Sequence, residues 1–456
     1  MEVFLIRALQ LILCFALLIL LHEGGHFLFA KLFKVRVEKF CLFFDPWFTL
    51  FKFKPRNSDT TYGIGWLPLG GYVKISGMID ESMDIEQMQQ PVKPWEFRAK
   101  PAWQRLFIMI GGVLVNFILA FVIYSAVLFT WGESYIPIKK FTHGFKFNEQ
   151  ARELGFRDGD ILLGTDTKTF EKFDGNVYRD LSEAHKATVL RNNQTVSIPL
   201  PGNLNMLEMI KQEPRFVEVL VPAVVDSVVS GTAAHKAGLR AGDHIVSFNG
   251  TPFTTVNDFN LISGSLHDVL ATASPADSAK LRQATIVAIH RGSSQPDTIA
   301  LTLDKDYKMG IVWANPMTNE YQTTTRTYGF FESIPAGFTH GWQVLAGYVD
   351  DLKYLFTSDG ARSVGSFGTI GSLFPATWDW CRFWELTAFI SLMLAFMNIL
   401  PIPALDGGHV FFLLFEVITR RKPSDKFMER AQTVGMTLLL LLMAWAIFND
   451  FRNFLF

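Results

Sequence analysis

Apolar residues are concentrated in four long stretches of this 456-residue chain, and polar residues separate the stretches from one another. A helix needs about 20 mainly apolar residues to cross a bilayer. We therefore predict four membrane-spanning helices at about residues 3–29, 106–129, 383–400 and 434–448. The first stretch lacks the basic start and the small-residue cleavage site of a signal peptide, so we interpret it as a retained helix.

Lysine and arginine are concentrated in the loops that follow the first and the third stretch. Loops rich in these residues stay in the cytoplasm, which fixes the orientation of the neighbouring helices. Both loops would therefore be cytoplasmic, and residues 132–379 would lie on the opposite side of the membrane. The basic loop residues are Lys31, Lys34, Arg36, Lys39, Lys52, Lys54, Arg56, Lys93, Arg98 and Lys100, then Arg420, Arg421, Lys422, Lys426 and Arg430.

The composition excludes some classes of protein and some sources of stability. A formal net charge of −1 argues against a nucleic-acid-binding protein. The three cysteines, Cys14, Cys41 and Cys381, all lie outside residues 132–379, so no disulfide framework supports that segment. Its stability must come from ordinary apolar cores, which suits two compact β-rich domains of about a hundred residues each.

A short internal repeat lies within this segment. Residues 154–162 recur in outline as residues 237–246, and two glycines and an aspartate keep a constant offset of 83 positions. Glycines at fixed spacing before an aspartate indicate a tight turn. The strand-like residues that follow the second turn end in Asn249-Gly250, which is typical of a hairpin turn.

Residues 230–234, with the sequence Ser-Gly-Thr-Ala-Ala, precede the second copy, and together they resemble the core signature of bacterial PDZ domains. The first copy resembles a divergent relative, since it lacks a small-residue run before its first glycine. PDZ domains bind extended peptides, such as peptide termini, by adding them as a strand to a sheet edge. The resemblance implies that the peptide-binding residues are Gly231, Ala233, Gly238 and Leu239.

His22-Glu23-Gly24-Gly25-His26 lies at the end of the first apolar stretch. On a helix, positions i and i+4 share a face, so His22 and His26 can both direct a ring nitrogen at one Zn²⁺. Glu23 is then placed to act as the general base for a water molecule. The alternative is two histidines and a carboxylate that hydrogen-bond each other without a metal.

A catalytic zinc site needs a third protein ligand and an open position for water. Asp406 is a candidate, since it follows a segment in which Pro401 and Pro403 break the third apolar helix. Irregular backbone at membrane depth occurs only where protein or a watery cavity surrounds it. The alternative is that Asp406 merely caps the next helix. His409 is disfavoured as a fourth ligand, because it would close the position that water needs.

The Asn-x-x-Pro-x-Pro-x-Leu-Asp-Gly segment at residues 398–407 and the intramembrane His-Glu-x-x-His motif resemble those of the site-2 protease family, the M50-type intramembrane zinc metalloproteases. The tandem PDZ signature resembles that of the bacterial members that regulate the sigma-E response. The resemblance covers nearly the whole chain. It implies that His22, His26 and Asp406 bind zinc, that Glu23 is the general base, and that Asn398 orients the substrate and stabilises the developing oxyanion.

Two further stretches fit this family. Residues 62–74 are apolar and glycine-rich but too short to span, and they resemble the family's re-entrant β-hairpin, which would hold a substrate extended for attack. An ordinary interfacial loop is the alternative. The implied substrate-binding residues of the hairpin are Gly65, Leu67, Gly70 and Gly71.

Residues 111–117 resemble a Gly-Pro-x-x-Asn stretch, although Val113 stands where proline is frequent. Gly111 and Gly112 still permit close helix contact.

The predicted fold is a polytopic α-helical membrane protein with four transmembrane helices and two β-rich PDZ-like domains inserted between the second and third spans. An amphipathic helix at about 328–356 would lie on the outer membrane face, and residues 364–375 would form a loop. The predicted segments are 1–30, first helix with the zinc motif; 31–102, cytoplasmic loop with the re-entrant hairpin at about 61–75; 103–131, second helix; 132–215, first PDZ-like domain; 216–310, second PDZ domain; 311–378, surface helix and loop; 379–406, third helix and zinc-ligand loop; 407–430, cytoplasmic loop; and 431–456, fourth helix and C-terminus.

The resemblance implies an intramembrane zinc metalloprotease of regulated intramembrane proteolysis in the bacterial inner (cytoplasmic) membrane. Its substrates would be single-span membrane proteins, such as an anti-sigma factor already trimmed by another protease, or signal-peptide remnants. The PDZ pair, on the periplasmic side, would exclude substrates with intact ectodomains. Two alternatives stay open from the sequence alone: a catalytically silent membrane scaffold that recruits peptides, and a transporter that uses the histidines and the aspartate as a transit metal site.

Overall fold

The computed structural model describes residues 2–68, 70–78, 90–271, 274–305 and 307–455. Leu69 of the predicted hairpin and residues 79–89 of the predicted loop lie outside the described residues. The chain divides into two compact units. The first, here called the membrane unit, comprises Met1–Glu133 and Thr327–Phe456, and the second, the β-rich unit, comprises Ser134–Arg326.

The helices and strands are numbered in chain order. The α-helices are α1 (Glu2–Leu32), α2 (Ala102–Trp131), α3 (Glu149–Glu153), α4 (Asn176–Glu183), α5 (Met206–Lys211), α6 (Ala233–Lys236), α7 (Val256–Ala271), α8 (Pro275–Leu281), α9 (Pro316–Asn319), α10 (Phe330–Asp351), α11 (Ser358–Ser363), α12 (Phe367–Leu373), α13 (Trp380–Ile399), α14 (Asp406–Thr419) and α15 (Asp425–Leu455). The strands are β1 (Val37–Leu42), β2 (Phe51–Phe53), β3 (Thr61–Ile64), β4 (Tyr72–Ile75), β5 (Glu133–Tyr135), β6 (Phe145–Phe147), β7 (Ile161–Thr165), β8 (Lys186–Arg191), β9 (Gln194–Pro199), β10 (Val217–Val219), β11 (Val225–Val228), β12 (His244–Phe248), β13 (Thr251–Pro252), β14 (Gln283–Ile289), β15 (Pro296–Thr302), β16 (Ile311–Trp313) and β17 (Thr324–Arg326). Short 3-10 turns occupy Phe97–Ala99, Ile138–Lys140 and Leu352–Phe356.

Four helices of the membrane unit are long and apolar enough to cross a bilayer: α1, α2, α13 and Lys426–Arg452 within α15. The four predicted apolar helices are thereby confirmed. Helices α1, α2 and α13 pack together, and small or slender side chains such as Cys14, Ala120 and Ala388 are buried between them. The chain is a membrane protein with a β-rich unit inserted between its second and third apolar helices.

A four-stranded sheet follows α1, with the strand order β2-β3-β1-β4. The predicted hairpin at 61–75 is therefore not a hairpin, because β1 lies between β3 and β4. Strand β1 pairs in parallel with β3, where Phe40 faces Tyr62, and antiparallel with β4, where Phe40 faces Val73. Strand β4 is left at the edge of the sheet, with one side unpaired by any other strand of the described chain.

Helix α10 forms where the amphipathic helix is predicted, and it packs against α2: a Cβ on Gly337 would overlap Ser125, and Leu345 joins the apolar cluster with Ala388 of α13. Two other segments of the membrane unit differ from the prediction. Residues 364–375, predicted as a loop, contain helix α12. Residues 407–430, predicted as a cytoplasmic loop, contain most of helix α14, which lies against α2.

The β-rich unit contains two related substructures. Strands β7 and β12, each of five residues, are offset by 83 positions, as the repeat predicts. In both copies the aspartate of the turn is buried, and its Oδ2 accepts a hydrogen bond from a backbone N–H at 2.9 Å, from Arg157 to Asp160 and from Arg240 to Asp243. The repeated sequence therefore builds the same turn and strand twice.

Strand pairing moves the boundaries between the two copies. The first copy contains the sheet β7-β8-β9, and the second contains β13-β12-β14-β15. Strand β10 pairs with β6 of the first copy, so the first copy continues to residue 219 instead of ending at 215. Strand β16 pairs with β11, so the second copy continues to residue 313 instead of ending at 310.

Candidate metal centre and active site

Helices α1 and α2 cross next to the candidate site, and both helices have glycines at the crossing. A Cβ on Gly25 would overlap the carbonyl group of Gly111, and one on Gly111 would lie 2.8 Å from the carbonyl oxygen of Gly25. A Cβ on Gly112 would overlap His26 Nε2 and lie 2.8 Å from Cε1 of His22. The glycines thus let the two backbones touch and leave room for both imidazoles.

Three potential ligand atoms converge beside this crossing. His22 Nε2 lies 3.1 Å and His26 Nε2 lies 3.2 Å from Asp406 Oδ2, and the two ring nitrogens are 3.3 Å apart. Four-coordinate zinc with bonds of about 2.0–2.1 Å holds its ligand atoms about 3.3 Å from one another. The three residues therefore fit a tetrahedral zinc ion in the size of their triangle and in their donor atoms.

Asp406 reaches the histidines because the chain turns sharply after α13. Helix α13 ends at Ile399, Ala404 adopts a positive φ of 78°, and α14 begins at Asp406. The side chain of Asp406 does not cap its own helix, since the N-cap position belongs to Leu405 and no side chain caps it. Asp406 Oδ2 is buried, and the polar atoms beside it are the two histidine Nε2 nitrogens. This arrangement disfavours the alternative in which Asp406 is only a helix cap.

The Nδ1 atoms of both histidines, which point away from the three candidate ligand atoms, also have polar neighbours. His26 Nδ1 lies 2.8 Å from the backbone carbonyl oxygen of Ile108, a distance at which it donates a hydrogen bond. This bond leaves Nε2 free of a proton and available to a metal. His22 Nδ1 lies 3.3 Å from the side-chain amide of Asn116, which is almost fully buried in α2.

Glu23 lies on the same helix as the histidines and next to the sheet. Its half-buried carboxylate is within hydrogen-bonding reach of the backbone N–H of Val73 in β4. The unpaired edge strand of the sheet and the predicted general base are therefore neighbours. A chain segment held along β4 would lie close to the three candidate ligand residues.

The other predicted residues of the membrane unit differ in their local contacts. Asn398 is half-buried near the end of α13, and its side chain makes no hydrogen bond to any residue that the structure describes. Leu67 exchanges two backbone hydrogen bonds of 3.1 Å with Phe44, and Gly65 and Gly70 pack against that same residue. Gly71 approaches α1, where a Cβ would lie 2.6 Å from Ile19.

The four predicted peptide-binding residues lie in the β-rich unit around helix α6. Gly231 has a positive φ of 79° and open space beside it, and Ala233 begins the helix. Gly238 has a positive φ of 83° just after the helix ends. Leu239 is 3% exposed and belongs to the core, so its side chain is a packing residue and not a groove residue.

Asn116 lies in the stretch at 111–117 that resembles Gly-Pro-x-x-Asn, but the sequence gives it no contact partner. A polar amide in the middle of an apolar span is unusual and marks a residue with a function. The structure places this amide beside His22. His409, which the sequence disfavours as a ligand, lies outside the cluster of three candidate ligand residues in the described chain.

Comparisons with known proteins agree with this chemistry. The sequence profile of Peptidase family M50 matches residues 10–442. The chain is similar to Protease RseP of Yersinia pestis and to the Regulator of sigma-E protease RseP of Escherichia coli (strain K12), each 29% identical with 97% of both chains covered. It is also 25% identical to a Vibrio cholerae protein whose name describes it as a zinc metalloprotease, again with 97% of both chains covered.

Proposed function

Because the chain belongs to peptidase family M50 and is a zinc metalloprotease, we propose that it cleaves a peptide bond within, or next to, the membrane-spanning helix of its substrate. In this proposal His22, His26 and Asp406 hold the zinc, and Glu23 is the general base. The observation that carries the proposal is the triangle of two imidazole nitrogens and one carboxylate oxygen, 3.1 to 3.3 Å on each side, between apolar helices.

The chemistry divides between the metal and the side chains around it. Zinc, when bound, polarises the scissile carbonyl and makes water acidic enough to ionise near neutral pH. Glu23 takes a proton from the attacking water and delivers it to the leaving amine. Asn398, with an uncommitted amide, donates a hydrogen bond to the oxygen of the attacked carbonyl.

The edge strand β4 offers a way to present a helical substrate. An α-helix uses its own N–H and C=O groups, so its peptide bonds are shielded until the helix unwinds. An unwound segment can pair with β4, whose outer side has no partner strand among the described residues. The neighbouring Glu23 would then face the extended backbone, and Gly65, Leu67, Gly70 and Gly71 would shape the loop that supports it.

The β-rich unit would select substrates. The two copies of the turn and strand support the assignment of two PDZ-like domains, on the periplasmic side of the inner membrane. They would exclude proteins with intact ectodomains and admit trimmed single-span proteins, such as an anti-sigma factor, or remnants of signal peptides. The groove beside Gly231 and Ala233 would receive a peptide terminus.

The test replaces Glu23 with glutamine in the full-length protein in membranes. Glu23→Gln should abolish cleavage while substrate binding is kept, and stripping the zinc with a chelator should abolish cleavage of the wild type. Glu385→Gln is the matched control. Glu385 is also a carboxylate on a spanning helix, but it lies away from the site and forms an ion pair of 2.8 Å with Arg382.

The Glu385→Gln protein should cleave normally. Uncleaved membrane fragments that accumulate in cells with Glu23→Gln would identify substrates directly. Cleavage that survives Glu23→Gln would contradict the protease mechanism. Normal cellular function without any cleavage would favour the silent scaffold, and metal flux that persists without the β-rich unit would favour the transporter.

A further inference from the structure

We propose that Asn116 is a positioning residue that holds His22 in the tautomer and orientation needed to bind zinc. This inference rests on the proposed function, since it takes His22 as a zinc ligand. Asn116 is 1% exposed, and its side-chain amide lies 3.3 Å from His22 Nδ1. No other hydrogen bond to this nitrogen is present in the described part of the chain.

The two histidines pose the same chemical problem. A neutral imidazole that binds zinc through Nε2 must carry its proton on Nδ1, and that proton needs an acceptor. For His26 the acceptor is the backbone oxygen of Ile108, at 2.8 Å. For His22 the Asn116 amide is the group in the same position, so its carbonyl oxygen must face Nδ1.

The amide orientation follows from this requirement. With the NH₂ group toward His22, the ring would have to accept at Nδ1 and carry its proton on Nε2, which would block the metal. The oxygen and nitrogen of an asparagine amide are nearly equal in shape, so hydrogen bonding decides which of them faces a partner. We therefore assign Oδ1 as the acceptor of the His22 Nδ1 proton.

Helix α2 is built to hold the amide at this point. Gly112 and Asn116 are four residues apart and share one face, so the helix leaves space for the rings at one turn and provides an amide at the next. The backbone oxygen of Asn116 accepts a hydrogen bond of 2.8 Å from the buried Ser391 hydroxyl of α13. This bond fixes α2 against α13 at the level of the amide.

The experiment measures zinc affinity by chelator competition on purified full-length protein, so it does not depend on substrate cleavage. Asn116→Leu keeps the size of the side chain but removes the acceptor, and zinc should bind 10- to 100-fold more weakly. Asn116→Asp keeps an oxygen toward Nδ1, and zinc should bind as tightly as in the wild type or more tightly. Thr387→Val is the control, since Thr387 is fully buried in α13 and its hydroxyl donates to the backbone oxygen of Phe383 at 2.7 Å; the zinc affinity of this variant should be unchanged.

A purely structural role for Asn116 would give a different pattern. Wild-type zinc affinity in Asn116→Leu, or equal losses in Asn116→Asp and Asn116→Leu, would overturn the inference. If Asn116→Leu does not fold, Asn116→Asp decides alone, since a tenfold loss there contradicts the acceptor role. His22→Ala separates the two proposals: zinc bound at wild-type affinity in that variant would refute the metal site itself, whatever Asn116 does.

Discussion

Gly112 gives the most direct test of how the metal centre is built. In Gly112→Ala the new Cβ would lie 2.8 Å from His22 Cε1, about 0.6 Å short of the 3.4 Å at which ordinary contact begins, and closer still to His26 Nε2. At least one ring must move by roughly that amount. Zinc sites hold their ligand distances within about 0.2 Å. The required shift is therefore about three times what the site tolerates.

The expected result is loss of zinc and of cleavage without loss of the fold. An added methyl group in a packed interior costs about 1–3 kcal/mol, which a folded membrane unit can survive. A displacement approaching 1 Å at a catalytic centre can lower the rate about 100-fold. Zinc content, cleavage rate and the thermal melting temperature should be measured on the same preparation of full-length protein.

Gly24 is the matched control for Gly112, because a Cβ on Gly24 meets no atom within 4 Å. Gly24→Ala should keep zinc and activity, and replacing glycine inside a helix should stabilise it by up to about 1 kcal/mol. The reasoning would be refuted if Gly112→Ala kept wild-type zinc content and cleavage rate. It would also fail if Gly24→Ala lost them to the same extent.

Two further predictions concern the β-rich unit. The hydrogen bond between His290 and Asp243, at 2.9 Å, raises the pKa of His290. The pair therefore stabilises the second copy fully below about pH 6.5, and this contribution is lost as the pH rises through the raised pKa. The protection factors of the β12 and β14 amides, which are exchange rates corrected for the intrinsic rate at each pH, should accordingly be higher at pH 6 than at pH 8.5. His290→Gln should remove most of that difference in protection, and an unchanged difference would exclude the pair as its cause. The side chain of Lys146 is 8% exposed and forms ion pairs with Asp158 at 2.7 Å and with Asp258 at 2.9 Å. Lys146→Met should lower the free energy of unfolding, measured in thermal melts, by more than about 1 kcal/mol, because two carboxylates lose their partner. The exposed Lys168 is the control, since Lys168→Met should change it by less than about 0.5 kcal/mol, and equal effects would contradict the argument.

Features that depend on local spacing were predictable from the sequence. The lengths of the apolar stretches predicted the four spanning helices, and the i, i+4 spacing of His22 and His26 predicted a shared face. The repeat at an offset of 83 predicted β7 and β12. In each case a few neighbouring residues carry the whole signal, because helix and strand periodicity are local properties.

Features that depend on long-range packing were not predictable in this way. The parallel pairing of β1 with β3 inserts a strand into the expected hairpin, and nothing near residues 61–75 indicates it. The amphipathic pattern of α10 predicts the helix, but the pattern does not indicate that Gly337 packs against Ser125 of α2. The contact between Asn116 and His22 joins two helices, so it becomes visible only when they cross at their glycines.

The separation of the proposed zinc ligands along the chain also has a consequence in time. Asp406 is synthesised 380 residues after His26, and the whole β-rich unit is made between them. At about 5–20 residues per second, the ribosome needs roughly 20 to 80 s to cover that distance. During this interval the nascent chain has two histidines and a glutamate in the membrane but no third ligand. The enzyme is therefore inert while it is being made, and its activity begins only after its own third helix is in place.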